Sequence, residues 1–147
     1  MTIDERFNNL IKQSKNIIIT THINPDADGI GSQVALALAL KKIGKNVICV
    51  NEEKLVDKYS FLNSNSSVLS YEDFQKLKKF KKVDLFIVTD ANTTNRIGPC
   101  LQSLSLKAKN LLFIDHHPCP KELAAIHCID TKSAATGELV AKLIESL

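Results

Sequence analysis

The sequence predicts a doubly wound α/β fold, a mostly parallel sheet with helices on both faces. Three observations carry this. Short apolar runs alternate with longer helical patterns along the whole chain. The run at residues 17–21, Ile-Ile-Ile-Thr-Thr, is β-branched throughout, as suits a strand buried on both faces of a parallel sheet. The pattern at residues 30–43 is rich in Ala and Leu and nearly apolar all round, so it belongs to a helix pressed against that sheet.

Taken in order, Thr2 followed by Glu5 is a capping-box pair, and Ile3, Phe7, Leu10 and Ile11 recur at helical spacing, which predicts a surface helix over 3–14. Residues 17–21 form the first strand. The helix over 30–43 ends at Gly44, with Lys41 and Lys42 placed where cations suit the helix dipole. Residues 46–50 are a second strand. Residues 52–65 read as irregular or partly helical, anchored by Tyr59, Phe61 and Leu62, and 63–67 as a polar turn. A helix is predicted over 71–80, with Phe74, Leu77 and Phe80 on one side. Strands follow at 85–88 and 111–114, separated by a loop at 92–96 and a helix at 99–106; a short strand at 126–129 and a helix at 133–147 complete the pattern. Right-handed crossovers connect such units.

The chain has 147 residues, the size of one domain, of which 44% are hydrophobic and 24% charged. A packed core is expected rather than disorder. Nineteen basic and 16 acidic side chains give +3, compatible with phosphate-bearing ligands but not the footprint of an obligate nucleic-acid binder. No apolar run is long enough to span a bilayer, and Met1-Thr2-Ile3-Asp4-Glu5-Arg6 lacks a signal core, so the expected location is the cytoplasm with no membrane partner. Cys49, Cys100, Cys119 and Cys128 show no paired spacing and read as reduced packing residues.

Three stretches carry metal-type residues directly after apolar runs. His22, Asp26 and Asp28 follow the first strand, Asp90 ends the third, and Asp115-His116-His117 ends the fourth. In open α/β sheets the ligand site lies beyond the carboxyl ends of the strands, so parallel strands bring all three to one edge. Each stretch also has a plain reading. Asn24-Pro25-Asp26 is turn chemistry with Asp28 capping the next helix, Asp90 a polar strand end, and His116-His117 a surface pair. Together the four carboxylates would repel one another unless cations sat between them. Histidine with carboxylate suits first-row divalent metals, and a carboxylate-rich set leans to Mn²⁺ or Mg²⁺ over Zn²⁺. Two such ions are the usual clamp for phosphoester hydrolysis, with Asp26 and Asp28 free to diverge and Asp90 placed to bridge.

Elsewhere, Lys76, Lys78, Lys79, Lys81 and Lys82 read as a solvated helix face, with steering of nucleic acid as the sharper alternative. Cys119, His127 and Cys128 fit no standard zinc spacing. Ser133 and Thr136 are candidates either to touch phosphate or to cap the last helix with Glu138.

His22-x-x-x-Asp26-x-Asp28-x-x-Gly31-Ser32, then Asp90, then Asp115-His116-His117 resemble the first three motifs of the DHH phosphoesterases. Arg96-Ile97-Gly98 and the stretch Ser133-Ala134-Ala135-Thr136-Gly137-Glu138 are similar to the branch that cleaves short oligoribonucleotides and 3′-phosphoadenosine 5′-phosphate. The resemblance implies two Mn²⁺ ions, with His22 and Asp26 on one, Asp28 and His116 on the other, and Asp90 bridging. It implies His117 at the substrate phosphate, Asp115 orienting the imidazoles, and substrate contacts from Ser133 and Thr136. Inorganic pyrophosphatases and cyclic-dinucleotide phosphodiesterases share the motifs, and a catalytically incomplete metal- or nucleotide-binding module is the alternative of another class. The family carries a further metal-ligating Asp after the final helix, whereas the last Asp here is Asp130. Residues 1–147 therefore read as an N-terminal catalytic domain cut before that motif. The C-terminal substrate-binding domain is then a missing partner, and low activity is expected alone; a homodimer is compatible with this reading.

Overall fold

The computed structural model describes residues 1–63, 68–78, 80–119 and 126–147. Its elements run α1 (Ile3–Gln13), β1 (Asn16–Thr21), α2 (Ala27–Lys42), β2 (Asn46–Asn51), a 3-10 turn (Asp57–Asn63), β3 (Val68–Ser70), α3 (Tyr71–Leu77), β4 (Val83–Thr89), a second 3-10 turn (Thr94–Arg96), α4 (Pro99–Ser105), β5 (Ala108–Asp115), β6 (Ile126–Ile129) and α5 (Thr136–Glu145). The sheet has the order β3-β2-β1-β4-β5-β6, and each described pair is parallel. The predicted α/β class holds. The strand order reverses between β1 and β4, the topological switch point where such sheets bind ligands.

Alternation along each strand splits the core into two layers. Ile17, Ile19, Leu85, Ile87, Leu112 and Ile114 point to the side covered by α1, α2 and α5. Ile18, Phe86, Val88 and Phe113 point to the other side, against Leu101 and Leu104 of α4 and Phe74 of α3. Both faces are thus covered, which is why the strand sequences read as unbroken apolar runs.

Several boundaries differ from expectation for identifiable reasons. Helix α2 starts at Ala27, not residue 30, because Asp26 caps it, its Oδ1 accepting from the Gly29 N–H at 2.9 Å. The cap is therefore Asp26 rather than Asp28. Helix α3 ends at Leu77 because Lys78 turns left-handed at φ +49°, and Leu77 stays 41% exposed. Tyr59 and Leu62 do anchor the first 3-10 turn, but Phe61 points outward at 72% exposure. Strand β3 has three residues, too short for an alternation to register. The turn predicted at 63–67 lies mostly outside the described residues, as does Lys79. Lys76 pairs with Glu72 and Asp73 on the exposed helix face, each at 3.2 Å. Cys49 and Cys128 are buried reduced thiols, each pushed up to about 12 by burial. No helix among the described residues is long and apolar enough to cross a membrane.

Candidate metal centre

The three motif stretches meet at the switch point because β1, β4 and β5 are adjacent and end in register, Thr21 opposite Thr89 and Thr89 opposite Ile114. Asp90 occupies the middle. It is 2% exposed and takes a left-handed backbone at φ +61°, while its N–H still donates to the Ile114 carbonyl at 2.9 Å. A non-glycine residue rarely adopts that conformation, and such residues persist where surrounding structure dictates them.

The two Asp90 oxygens look in different directions. Oδ2 lies 3.4 Å from His22 Nε2, and the same nitrogen lies 3.8 Å from Asp26 Oδ1. Oδ1 lies 3.8 Å from His116 Nε2 and 3.9 Å from His117 Nδ1. Oδ1 is also fixed by the Thr136 hydroxyl, which donates to it at 2.9 Å from a fully buried position.

The imidazoles are set by their backs. His22 Nδ1 lies 2.7 Å from the Ile23 carbonyl, which can only accept, so Nδ1 carries a proton and Nε2 is the nitrogen turned toward the carboxylates. His117 Nδ1 donates to Asp115 Oδ1 at 2.7 Å, and the His116 backbone N–H donates to the same oxygen at 2.8 Å. Asp115 is fully buried and its Oδ2 has no hydrogen-bond partner among the described residues. His117 is the exposed member, 46% by side chain.

Asp28 is used differently. Its Oδ2 accepts from the Thr136 N–H at 3.0 Å and its Oδ1 from the Gly137 N–H at 2.8 Å, so it caps the N-terminus of α5 from another helix. Its Oδ2 remains 3.8 Å from His116 Nε2. Helix α5 has Ala135 at its own cap position with no side-chain bond, while Glu138 reaches back to the Ala134 N–H at 2.8 Å. Ser133 is not a cap: its hydroxyl donates to Asp130 Oδ2 at 3.0 Å. Sequence reasoning missed this long-range cap, because nothing local marks Ala135 as needing one.

Crowding shows in the carboxyls. Burial pushes Asp90 up; the Thr136 hydroxyl works against that, and the Asp28 and Asp26 charges add to it. Asp26 is held below its usual range, chiefly by the Gly29 N–H. Two groups of donor atoms lie within 4.8 Å of one another and could hold a metal ion: His22 with Asp26 and Asp90, and Asp90 with Asp115, His116 and His117. Divalent cations suit this donor set, since each group offers imidazole nitrogen with carboxylate oxygen and Asp115 keeps a buried oxygen unpaired. Among the described residues, Cys119, His127 and Cys128 form no such group.

The fold and site define an α/β protein with an acidic, histidine-bearing centre at the switch point of a parallel sheet. A profile of the DHH family, N-terminal domain, matches residues 16–147, and the chain belongs to that family. It is 37% identical over 121 residues to a bifunctional oligoribonuclease and PAP phosphatase NrnA of Mycoplasma genitalium, covering 78% of this chain and 34% of that protein. It is 30% identical over 132 residues to the NrnA of Thermus thermophilus, covering 89% of this chain and 37% of that one. A crystal structure of an exopolyphosphatase-related protein from Bacteroides fragilis superposes with a TM-score of 0.84 at 25% identity, over 97% of this chain and 42% of its own. The chain thus spans well under half the length of each.

Proposed function

We propose that this chain is the catalytic part of a divalent-metal-dependent phosphoesterase. Its substrates are short oligoribonucleotides or nucleotide phosphates such as 3′-phosphoadenosine 5′-phosphate. The observation that carries the reading is Asp90, common to both donor groups and offering one oxygen to each. The two NrnA relatives support the substrate class. In this reading His22 and Asp26 hold one ion, Asp28 and His116 the other, and Asp90 both; Asp28 lies outside the two compact donor groups and would share with the ion an oxygen that now accepts from an α5 amide. Mn²⁺ is favoured by the carboxylate-rich set, with Mg²⁺ second. Bound there, the ions would acidify a water and neutralise charge on the phosphoryl oxygens.

The chain's own groups do the rest. The Ile23 carbonyl holds His22 in the tautomer that leaves Nε2 free to ligate. Asp115 accepts a hydrogen bond from the Nδ1–H of His117, which leaves the Nε2 side of that exposed ring for a substrate phosphate. For Ser133 and Thr136 to reach substrate, they would exchange their present partners, Asp130 and Asp90. The remaining length of the relatives is where a C-terminal substrate-binding domain would lie, and the proposal extends to a cytoplasmic location and a homodimeric assembly.

The test follows mononucleotide release from a diribonucleotide, and phosphate release from 3′-phosphoadenosine 5′-phosphate and from pyrophosphate, with Mn²⁺ present. It uses this chain and any longer chain that carries it. Turnover of the first two supports the proposal. Turnover of pyrophosphate alone moves the assignment to phosphoanhydride hydrolysis, the second reading, which the exopolyphosphatase-related structural neighbour favours. Metal binding without turnover in either chain leaves a binding module and ends the enzyme reading.

A further inference from the structure

The net charge of +3 hides a segregation. The carboxylates of the metal centre lie at the carboxyl edge of the sheet, while the turns that enter the strands at the amino edge are rich in lysine. Lys15 precedes β1, Lys45 precedes β2, Lys81 and Lys82 precede β4, and Lys107 and Lys109 flank the first residue of β5. These four strands are parallel neighbours, so the six lysines form a row along one edge. Strand spacing of about 4.8 Å makes that row about 15 Å long. Helix dipoles account for Lys41 and Lys42 in the last turn of α2, but that effect fades beyond the last turn, and the six lie past it. Among the described residues that open these strands, Asp84 is the one carboxylate. Its Oδ2 accepts from the Lys15 and Asn16 N–H groups, and its Oδ1 lies 3.9 Å from Lys82 Nζ.

Phe80 stands within this row. Its spacing in the sequence puts it on the apolar side of a helix, but α3 ends at Leu77, and Phe80 joins neither layer of the core. It is half-buried and lines two cavities. One, of about 410 Å³, has Lys41, Lys45, Asn16 and Asn46 in its walls. The other, of about 290 Å³, has Lys81, Lys107, Tyr71 and Phe74. Small-ligand pockets run from about 300 to 1,000 Å³, so each has room for a planar group of the size of a base. An aromatic ring between two hollows, with ammonium groups on either side, suits single-stranded nucleic acid: a base stacks on the ring while the backbone follows the charges.

We propose that the amino edge of the sheet is a docking surface for single-stranded nucleic acid, with Phe80 as the stacking platform and Lys45, Lys81 and Lys107 on the phosphates. Strand β4 runs seven residues from this edge to Asp90, about 20 Å. The surface is therefore a tether outside the catalytic site, and it holds its ligand without metal. The row of charge fits a chain of phosphates better than a single one. A bilayer is flat and leaves both hollows unfilled, and an acidic peptide brings no planar face for Phe80. Leu106, 87% exposed beside Lys107, is the residue a bilayer would use instead.

The test is fluorescence anisotropy of 5′-fluorescein-labelled dodecauridylate titrated with the 147-residue chain in EDTA, over a series of KCl concentrations. The proteins are wild type, the double variant Lys81→Ala/Lys107→Ala, Phe80→Ala, and Lys132→Ala, which removes an exposed lysine after β6 at the opposite edge. Wild type is expected to bind, with log affinity falling against log salt by about 0.7 per phosphate neutralised. The double variant should lose about tenfold in affinity and about 1.4 in slope. Phe80→Ala should lose about tenfold with the slope unchanged, and Lys132→Ala should stay within about twofold. Lys81 and Lys107 are exposed, so the double variant stays folded even if Phe80→Ala does not. No binding by wild type, or wild-type affinity in both the double variant and Phe80→Ala, overturns the surface. A loss confined to Lys132→Ala puts the strand at the metal edge and overturns it too. Binding to phosphatidylserine vesicles that Leu106→Ser abolishes, with no binding of dodecauridylate, replaces it with a lipid surface. The metal centre is empty throughout, so each outcome leaves the phosphoesterase reading where it stands.

Discussion

Asp90 concentrates the chemistry of the site in one residue. Buried and strained at φ +61°, it is the one residue common to the two donor groups found among the described residues. Asp90→Ala is expected to abolish Mn²⁺ binding by calorimetry, whereas Asp115→Ala, which removes an orienting group, weakens it by about 10–100-fold. Equal, small losses in both would contradict a bridging Asp90. Gly29 is the second residue where one atom decides the outcome. A Cβ there would collide with the Thr21 hydroxyl, which donates to the Thr89 carbonyl at 2.9 Å and ties β1 to β4. Alanine gains about 1 kcal/mol in helix propensity, but overpacking at a rigid strand costs about 1–3 kcal/mol. Gly29→Ala should therefore lower the urea midpoint; a raised midpoint would mean that the hydroxyl yields freely. The motif residues were legible in the sequence as a set, because each followed an apolar run that had to be a strand. The collision at Gly29 was not, since it arises between α2 and β1 and leaves no local pattern.

Among elements, α5 depends most on partners distant in sequence. Its first two amides bond to Asp28 of α2, and its Thr136 hydroxyl bonds to Asp90 beyond β4. With EDTA present, Asp28→Ala should cost about 1–2 kcal/mol of unfolding free energy, the usual loss for a capping group. No change there would mean that water replaces the cap without penalty. Helix α4 is served the same way by Glu52. Strands β1, β4 and β5 were legible because burial on both faces makes their sequences unbroken apolar runs. Strand β3 was not, because three residues at a sheet edge carry too little pattern. Helix α2 was found but entered three residues late, since Asp26 and Asp28 are equally good caps in sequence and only the Gly29 amide distinguishes them.

Across the whole molecule, the carboxylate set makes stability depend on pH. Asp84 shows the sign most simply. Its Oδ2 accepts from the Lys15 and Asn16 N–H groups at 3.0 and 2.9 Å, where β1 begins beside β4. Those amides, Asn16 first, hold its carboxyl below the usual range. A lowered folded value means stability present above the unfolded value of about 3.9 and lost as pH falls through the folded one. Asp84→Asn should cost about 1 kcal/mol at neutral pH, with the gap from wild type closing on the acid limb. A gap that stays constant through acid unfolding would show that the charge is not what matters. The architecture as a whole was legible because periodicity and strand-end chemistry agree, whereas the pairing of helices across the sheet had to be seen.

Helix α1 lies before residue 16, where the family profile begins. It is nevertheless part of the same solid. Phe7 and Ile11 are buried in the layer that covers β1, Arg6 donates to the His127 carbonyl on the outer strand, and Asn8 bonds to the Ser146 carbonyl at 3.1 Å. A recombinant version trimmed to the profile's edge would strip the lining from one flank of the sheet and leave β6 open to other molecules. It should emerge from expression as aggregate, while the version that starts at Met1 stays in the supernatant.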